Sequence, residues 1–336
     1  MKHKFTIFKL HFTSPLHLSN ERDDYAQSLS TLHSDTLYAA LTASLAKVGH
    51  QFDENFDGDL NCSISSLFPY YQENENANPV YFFPKSKKID VLSQNIFDIH
   101  KKVKKITWLD KDCFEIHLSG KSLEKFYKEE SIKNNFLSEK NFPADFINKQ
   151  VAPHAQVPRK HFLNGEKQET DIYYMERLFF KDKSGMFFLT EGDTKLLEKA
   201  LYVLQYEGIG TDRNVGNGYF EYKKDTIELN LPENANFSMN LSLFLPENKE
   251  QLKNFISEET AYGFKKRGGW VTTSPHNTIR KNRVYMFEEG SVFKNKINKP
   301  QVIGKIADLS PDLPSQMSIG HKIFRNGKSI FLPTNL

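Results

Sequence analysis

Cysteine is nearly absent. Cys62 and Cys113 are the only two in 336 residues, and they lie too far apart for a CxxC pair, so neither a thiolate zinc site nor a disulfide framework is supported. A reducing cytoplasm suits such a chain. Long apolar stretches are missing as well, with no run approaching ~18 residues. The opening Met-Lys-His-Lys leads into alternating residues instead of the apolar region of a signal peptide. A protein that is neither secreted nor membrane-bound is expected. Zincin, kinase, hydrolase-elbow and polymerase motifs are missing, and no metal or cofactor is expected. Acid, too, is missing in places: residues 261–287 and 313–336 contain no Asp or Glu.

What fills those acid-free stretches is basic. The first holds Lys265, Lys266, Arg267, Arg280, Lys281 and Arg283, and the second Lys322, Arg325 and Lys328, while residues 228–259 before them are acidic. The formal net charge is only +3, so segregation carries the signal: it gives one basic surface, the electrostatic footprint of a phosphate binder. A solvated lysine-rich face would show the same pattern. Apolar residues make up 38% and aromatics 13%, ample for packed cores, and the length suggests two domains.

The order of elements predicts α+β. Phe8, Leu10 and Phe12 alternate with Lys9 and His11 as in a half-buried strand. Leu37, Leu41, Leu45 and Val48 then recur at helical spacing, with Ser34 or Asp35 placed to cap the helix start. Residues 53–78 read as loop with short helical turns, 80–83 as strand, 100–105 as a basic loop or helix end and 123–146 as a charged helix. Residues 150–171, with Pro153, Pro158 and Gly165, read as an extended excursion. Residues 172–180 and 186–190 flank a short turn and predict a hairpin with each other. A second helix is capped by Asp193 or Thr194, with Leu197, Ala200, Leu201 and Leu204 as its stripe and Gly208 at its end. Strand, helix, strands, hairpin, helix, strand is the split βαβ order of a ferredoxin-like domain carrying an insertion. That assigns residues 1–226 to the first domain and 227–336 to a more β-rich second.

Four glycines, Gly208, Gly210, Gly216 and Gly218, punctuate the segment between that helix and the strand beginning near Tyr219. Glycine permits positive φ and close backbone approach, which suits phosphate oxygens. A helix C-cap followed by a tight turn accounts for them equally. The loop precedes a strand instead of a helix, which excludes a dinucleotide fingerprint.

Gly-x-Gly, Asp212-Arg213, Gly-x-Gly and an aromatic strand resemble the Gly-rich loop of the RAMP superfamily of CRISPR proteins. Three further stretches, His33-Ser34-Asp35-Thr36-Leu37, residues 280–293 (RKNRVYMFEEGSVF) and residues 320–328 (GHKIFRNGK), resemble the group that forms the fourth subunit of the type III-A effector complex. The resemblance implies two tandem ferredoxin-like (RRM-like) RAMP domains with a Gly-rich loop, 208–218, and an inserted β-hairpin thumb, here about 150–171. It implies a non-catalytic subunit that grips the 5′ tag of the guide RNA beside a large polymerase-like signalling subunit and a backbone RAMP subunit. Target RNA would be met only through the complex. The resemblance and the basic, aromatic segment 261–287 together suggest as RNA-binding residues His33, Ser34, Arg159, Lys160, His161, the four loop glycines, Arg213, Tyr219, Lys266, Arg267, Trp270, Arg280 and Arg283.

The residues alone leave other readings open. Trp270 suits base stacking and equally a core position. His33 and Asp35 could be acid and base, but no third partner is evident, and a helix cap is simpler. The alternatives at the level of function are a metal-independent RAMP endonuclease that processes repeat RNA and a nucleotide-binding regulator using the Gly-rich loop.

Overall fold

A computed structural model describes residues 1–336 apart from 20–24, 54, 89–98, 157–161, 164–165, 168–169, 315–316 and 318. The chain runs β1 (Lys2–Phe12), α1 (Ser34–Lys47), β2 (Cys62–Ile64), β3 (Phe68–Tyr71), β4 (Val80–Pro84), α2 (His100–Lys104), β5 (Trp108–Asp110) and α3 (Lys111–Leu118). It continues with β6 (Ile132–Lys133), β7 (Phe136–Leu137), β8 (Ile147–Gln156), β9 (Phe162–Leu163), β10 (Glu166–Lys167), β11 (Asp171–Phe180), β12 (Gly185–Gly192), α4 (Lys195–Glu207) and β13 (Phe220–Asn230). The remainder holds β14 (Phe237–Asn240), α5 (Lys249–Phe255), β15 (Phe264–Arg267), β16 (Val284–Phe287) and β17 (Val292–Phe293). Last come β18 (Gln301–Ile303), β19 (Ile306–Asp308), β20 (Phe324–Asn326) and β21 (Ser329–Thr334). The architecture is mixed α+β. Among the described residues no helix is long and apolar enough to cross a membrane.

β1 is buried on both faces, not half-buried as its alternation suggests. Phe8, Leu10 and Phe12 pack with the α1 and α4 stripes, Leu37, Leu41 and Leu45 with Leu197, Leu201 and Leu204. Phe5 and Ile7 face the other way, onto Met239, Leu241, Ile330 and Leu332 of the C-terminal sheet. Burying each such side chain contributes roughly 1.5–3 kcal/mol. The first sheet is therefore the middle layer, between the helix pair and the C-terminal sheet. Val48, expected in the helix stripe, lies beyond the end of α1 and is exposed.

In the first sheet β13, β1, β12 and then β2 and β3 lie side by side, all antiparallel, which is the split βαβ order. β2 and β3 pair with opposite ends of β12, interrupted at Ser65, Ser66 and Leu67. Residues 53–78, expected as loop with short helical turns, thus supply two strands of the central sheet. β4, β5, β7 and β6 extend it further. The helix expected over 123–146 is instead two 3-10 turns and the β6–β7 hairpin, where Asn134 takes φ 57° at the turn. Asn between short apolar pairs favours that left-handed turn over a helix. The C-terminal sheet runs β17-β14-β21-β18, and an isolated bridge joins Ala261 to Val292 of β17.

Candidate nucleic-acid interface

The start of α1 is the junction of the two halves. Its N-cap, His33, makes no side-chain cap bond, and neither Ser34 nor Asp35 acts as the expected cap. Ser34 Oγ instead accepts from Leu243 N at 3.0 Å. Asp35, with no exposed surface, receives Arg267 in a fork, Nε to Oδ2 at 2.7 Å and Nη2 to Oδ1 at 3.0 Å. Arg325 Nη1 stands 3.6 Å from Oδ2. Burial by itself pushes the Asp35 carboxyl up, but Arg267 and then Arg325 more than reverse this and hold it below the usual range. Lys281 completes the cluster, its ammonium pushed down to about 8 by burial and by the neighbouring Arg325 and Arg267.

A second pair lies beside it. His33 Nδ1 is 2.9 Å from Glu289 Oε1, and Ser66, from the interruption between β2 and β3, donates its hydroxyl to the same carboxylate. Burial raises the Glu289 carboxyl, and His33 with Ser66 brings it below its ordinary value. The three stretches that carry the family resemblance outside the loop thus meet in one buried network, through His33 and Asp35, Lys281 and Glu289, and Arg325. His33 and Ser34, suggested as RNA contacts, are buried, and Arg267 is committed to Asp35.

The open basic surface lies on the ribbon of β15 and β16. Their register sets Lys266 opposite Tyr285 and Phe264 opposite Phe287. Because side chains alternate along a strand, Phe264 and Lys266 share a face, and Tyr262 approaches it with its ring 5.0 Å from that of Phe264. Phe264 is 52% exposed and Tyr285 61%. Arg283 is exposed nearby, and the Arg280 guanidinium lies 4.7 Å from the centre of the Trp270 ring. Trp270 is half-buried in that stack, held by an isolated bridge to Arg280 and so neither a free stacking ring nor a core residue. Cations interleaved with exposed rings form a platform for single-stranded bases and phosphates. Tyr262, Phe264 and Tyr285 were not among the sequence candidates. The signal was present, as Tyr-x-Phe-x-Lys at strand spacing inside an acid-free stretch.

The Gly-rich loop turns mostly inward. A Cβ on Gly218 would lie 1.8 Å from Ile209 O, one on Gly210 2.4 Å from His17 O and one on Gly208 2.7 Å from Asn217 O. The amides of Ile209, Thr211, Gly218 and Tyr219 donate to Gly218 O, His17 O, Pro15 O and Ser14 Oγ, so they are not directed at a ligand. Arg213 is exposed, and Gly216 has open space around it. Gly218→Ala is accordingly expected to cost more than about 2 kcal/mol, because positive φ and a backbone clash combine, whereas Gly216→Ala costs about 1 kcal/mol. Urea unfolding of the two variants checks this, and equal losses would contradict it.

β8 and β11 pair in register from Ile147↔Phe180 to Gln156↔Asp171 and form an inserted hairpin longer than the 150–171 expected. β11 does not pair with β12, as the sequence suggested. The chain turns a corner at Lys181, whose N donates to Phe146 O, and Lys183, whose N donates to Gln72 O. Leu178 anchors the hairpin by exchanging backbone bonds with Leu16 at 3.0 and 2.7 Å. Val151, Ile172 and Tyr174 are exposed along its arms. Arg159, Lys160 and His161 fall outside the described residues.

The model of the CRISPR Csm4 C-terminal domain family matches residues 233–334. A Csm4 of Methanocaldococcus jannaschii is 24% identical, with 99% of this chain and 98% of that protein aligned. One from Thermococcus onnurineus is 27% identical over 78% of this chain and 81% of its own length. This chain resembles Csm4. A chain of the Csm3–Csm4 subcomplex of the type III-A CRISPR-Cas interference complex superposes with a TM-score of 0.60 at 19% identity, covering 99% of this chain and 100% of the other. One from a Csm1–Csm4 cassette in complex with cA4 gives 0.58 at 18% identity, covering 99% of each. The matched Csm4 C-terminal domain contains the ribbon together with Arg267, Lys281, Glu289 and Arg325, while His33, Asp35 and Ser66 lie outside it. The buried network therefore crosses into the Csm4 domain from the N-terminal half.

Proposed function

We propose that this chain is a non-catalytic guide-RNA-binding subunit of a type III-A effector complex. It grips the repeat-derived 5′ tag, as part of cytoplasmic antiviral defence. The observation that carries this reading is the ribbon face, with Phe264, Lys266 and Tyr285 exposed together in a segment without acid. Tandem ferredoxin-like RAMP domains, the second keeping the short helix α5 beside its sheet, hold that ribbon, and the hairpin of β8 and β11 serves as the thumb that parts tag from spacer. The solved relatives pair Csm4 with Csm1 and with Csm3, and the partners proposed here are the corresponding signalling and backbone subunits. The nuclease alternative needs a histidine base able to reach a ribose hydroxyl; His33 is held by Glu289, and a cleavage assay tests the rest of the eleven histidines.

Purified chain incubated with labelled repeat RNA should bind it without cutting. Metal-independent cleavage at one site would overturn the non-catalytic assignment. RNA recovered with the co-expressed complex should carry the tag at its 5′ end.

A further inference from the structure

Between β15 and the corner formed by β4, α2 and β5 lies a cavity of about 690 Å³, within the roughly 300–1,000 Å³ span of small-molecule sites. Phe68, Val103, Ile106 and Trp108, all buried, form an apolar floor. Five lysines line it, Lys85, Lys87, Lys88, Lys104 and Lys265, against two carboxylates, Glu288 and Glu289. Lys87 pairs with Glu288 at 2.8 Å and His33 with Glu289 at 2.9 Å, so positive charge remains in excess. His33 itself lines the wall.

The surplus of cations calls for an anion and the floor for an apolar body. The carboxylates call for N–H donors on that body, since each oxygen can accept more than one bond. An acyl chain would leave Glu288 and Glu289 facing hydrocarbon, and an acidic peptide would meet them with like charge. A nucleotide whose base carries an amino group meets all three demands. We propose that this cavity binds one nucleoside phosphate, its amino-bearing base against Ile106 and Trp108 and its phosphate at Lys104 and Lys265. The site is distinct from the ribbon face, and its occupant is either a free nucleotide or one turned out of a bound strand.

The sequence has two tryptophans, so in full-length Trp270→Phe protein Trp108 alone reports on the floor. AMP should quench its fluorescence saturably. Purine riboside 5′-monophosphate, which keeps the ring but lacks the amino group, should bind about fivefold more weakly for the loss of one hydrogen bond, and inorganic phosphate should give no quenching. Lys104→Glu with Lys265→Glu should abolish the AMP response with the melting temperature retained. Should that pair misfold, Lys104→Gln with Lys265→Gln should weaken AMP in the same direction. The proposal fails if AMP gives no saturable response, if phosphate alone or purine riboside 5′-monophosphate matches it, or if neither lysine pair changes it. Labelled single-stranded RNA on the wild-type chain separates the two sources. Displacement by AMP, with weakening by the lysine variants, assigns the cavity to a nucleotide of the strand, and RNA binding indifferent to both assigns it to a free nucleotide. A chain that binds AMP but no RNA would end the guide-binding reading and leave this one standing.

Discussion

Asp35→Ala is expected to lower the unfolding free energy by about 3–5 kcal/mol, the cost of leaving buried charge without its partner. Arg267 and Arg325 would lose the one carboxylate they share, with only 14% and 12% of their side chains exposed to recover solvation. Arg267→Ala should cost a similar amount, because it strips the fork from a fully buried Asp35. Asp35→Asn should cost less, since the amide oxygen still accepts from one guanidinium. The acid side carries the same signature. Asp35 and Glu289 both sit below their ordinary values in the folded chain, so each contributes stability that is complete above the unfolded value, about 4. That contribution is lost as pH falls through the lower folded value. Wild type should therefore lose stability more steeply than Asp35→Ala on acidification below about pH 5. Because the pair is buried, salt should change little. Chemical denaturation across pH measures both effects. A loss under about 1 kcal/mol for Asp35→Ala, the range of surface ion pairs, would show that the junction is held by packing alone.

That network marks the limit of what the sequence could reveal. The strand of β1, the helices α1 and α4 and the split order were legible because apolar residues recur at the period of each element. The basic character of residues 261–287 was legible from composition. Which of those cations face solvent was not. Arg267 and Asp35 are 232 positions apart, and no local rule brings them together, so Arg267 reads as a surface cation until the fold supplies its carboxylate. The same holds for His33 and Glu289. The glycines of the loop stand out in the sequence, but glycine serves close approach to the chain's own backbone as readily as to a ligand. Here Ile209 O, His17 O and Asn217 O supply the approach. The pairing of β11 is not legible because a tight turn at 181–184 looks the same whether the chain returns to its neighbour or changes sheet. The exposed arms of the hairpin, with apolar residues on both strands, gave no period that would assign them to a core.

The ribbon face is where a functional effect should appear without a structural one. Tyr285→Ala removes a ring that is mostly in water, so stability should move by no more than about 0.5 kcal/mol. Affinity for single-stranded RNA should fall by roughly 1–3 kcal/mol, the range for losing one base stack. Phe264→Ala should cost comparable affinity with some loss of stability, since its ring also lies 4.6 Å from that of buried Phe287. If the two rings hold different bases, the double variant should lose about the sum, on the order of 30-fold or more. Lys266→Ala acts on another axis, reducing the slope of log affinity against log salt by about 0.7 for a single-stranded ligand. Tyr202→Ala and Tyr206→Ala, which remove equally exposed rings from α4, serve as controls and should leave RNA binding by the isolated chain unchanged. Anisotropy titrations with a labelled single strand at several salt concentrations read the affinities and the salt slope, and urea unfolding reads the stabilities. If the α4 controls weaken RNA as much as Phe264→Ala and Tyr285→Ala do, exposed aromatics are acting without regard to place and the ribbon is no platform. If only the salt slope changes, the phosphates alone are held there, and the bases of the guide must stack on another surface of the chain or on a neighbouring subunit.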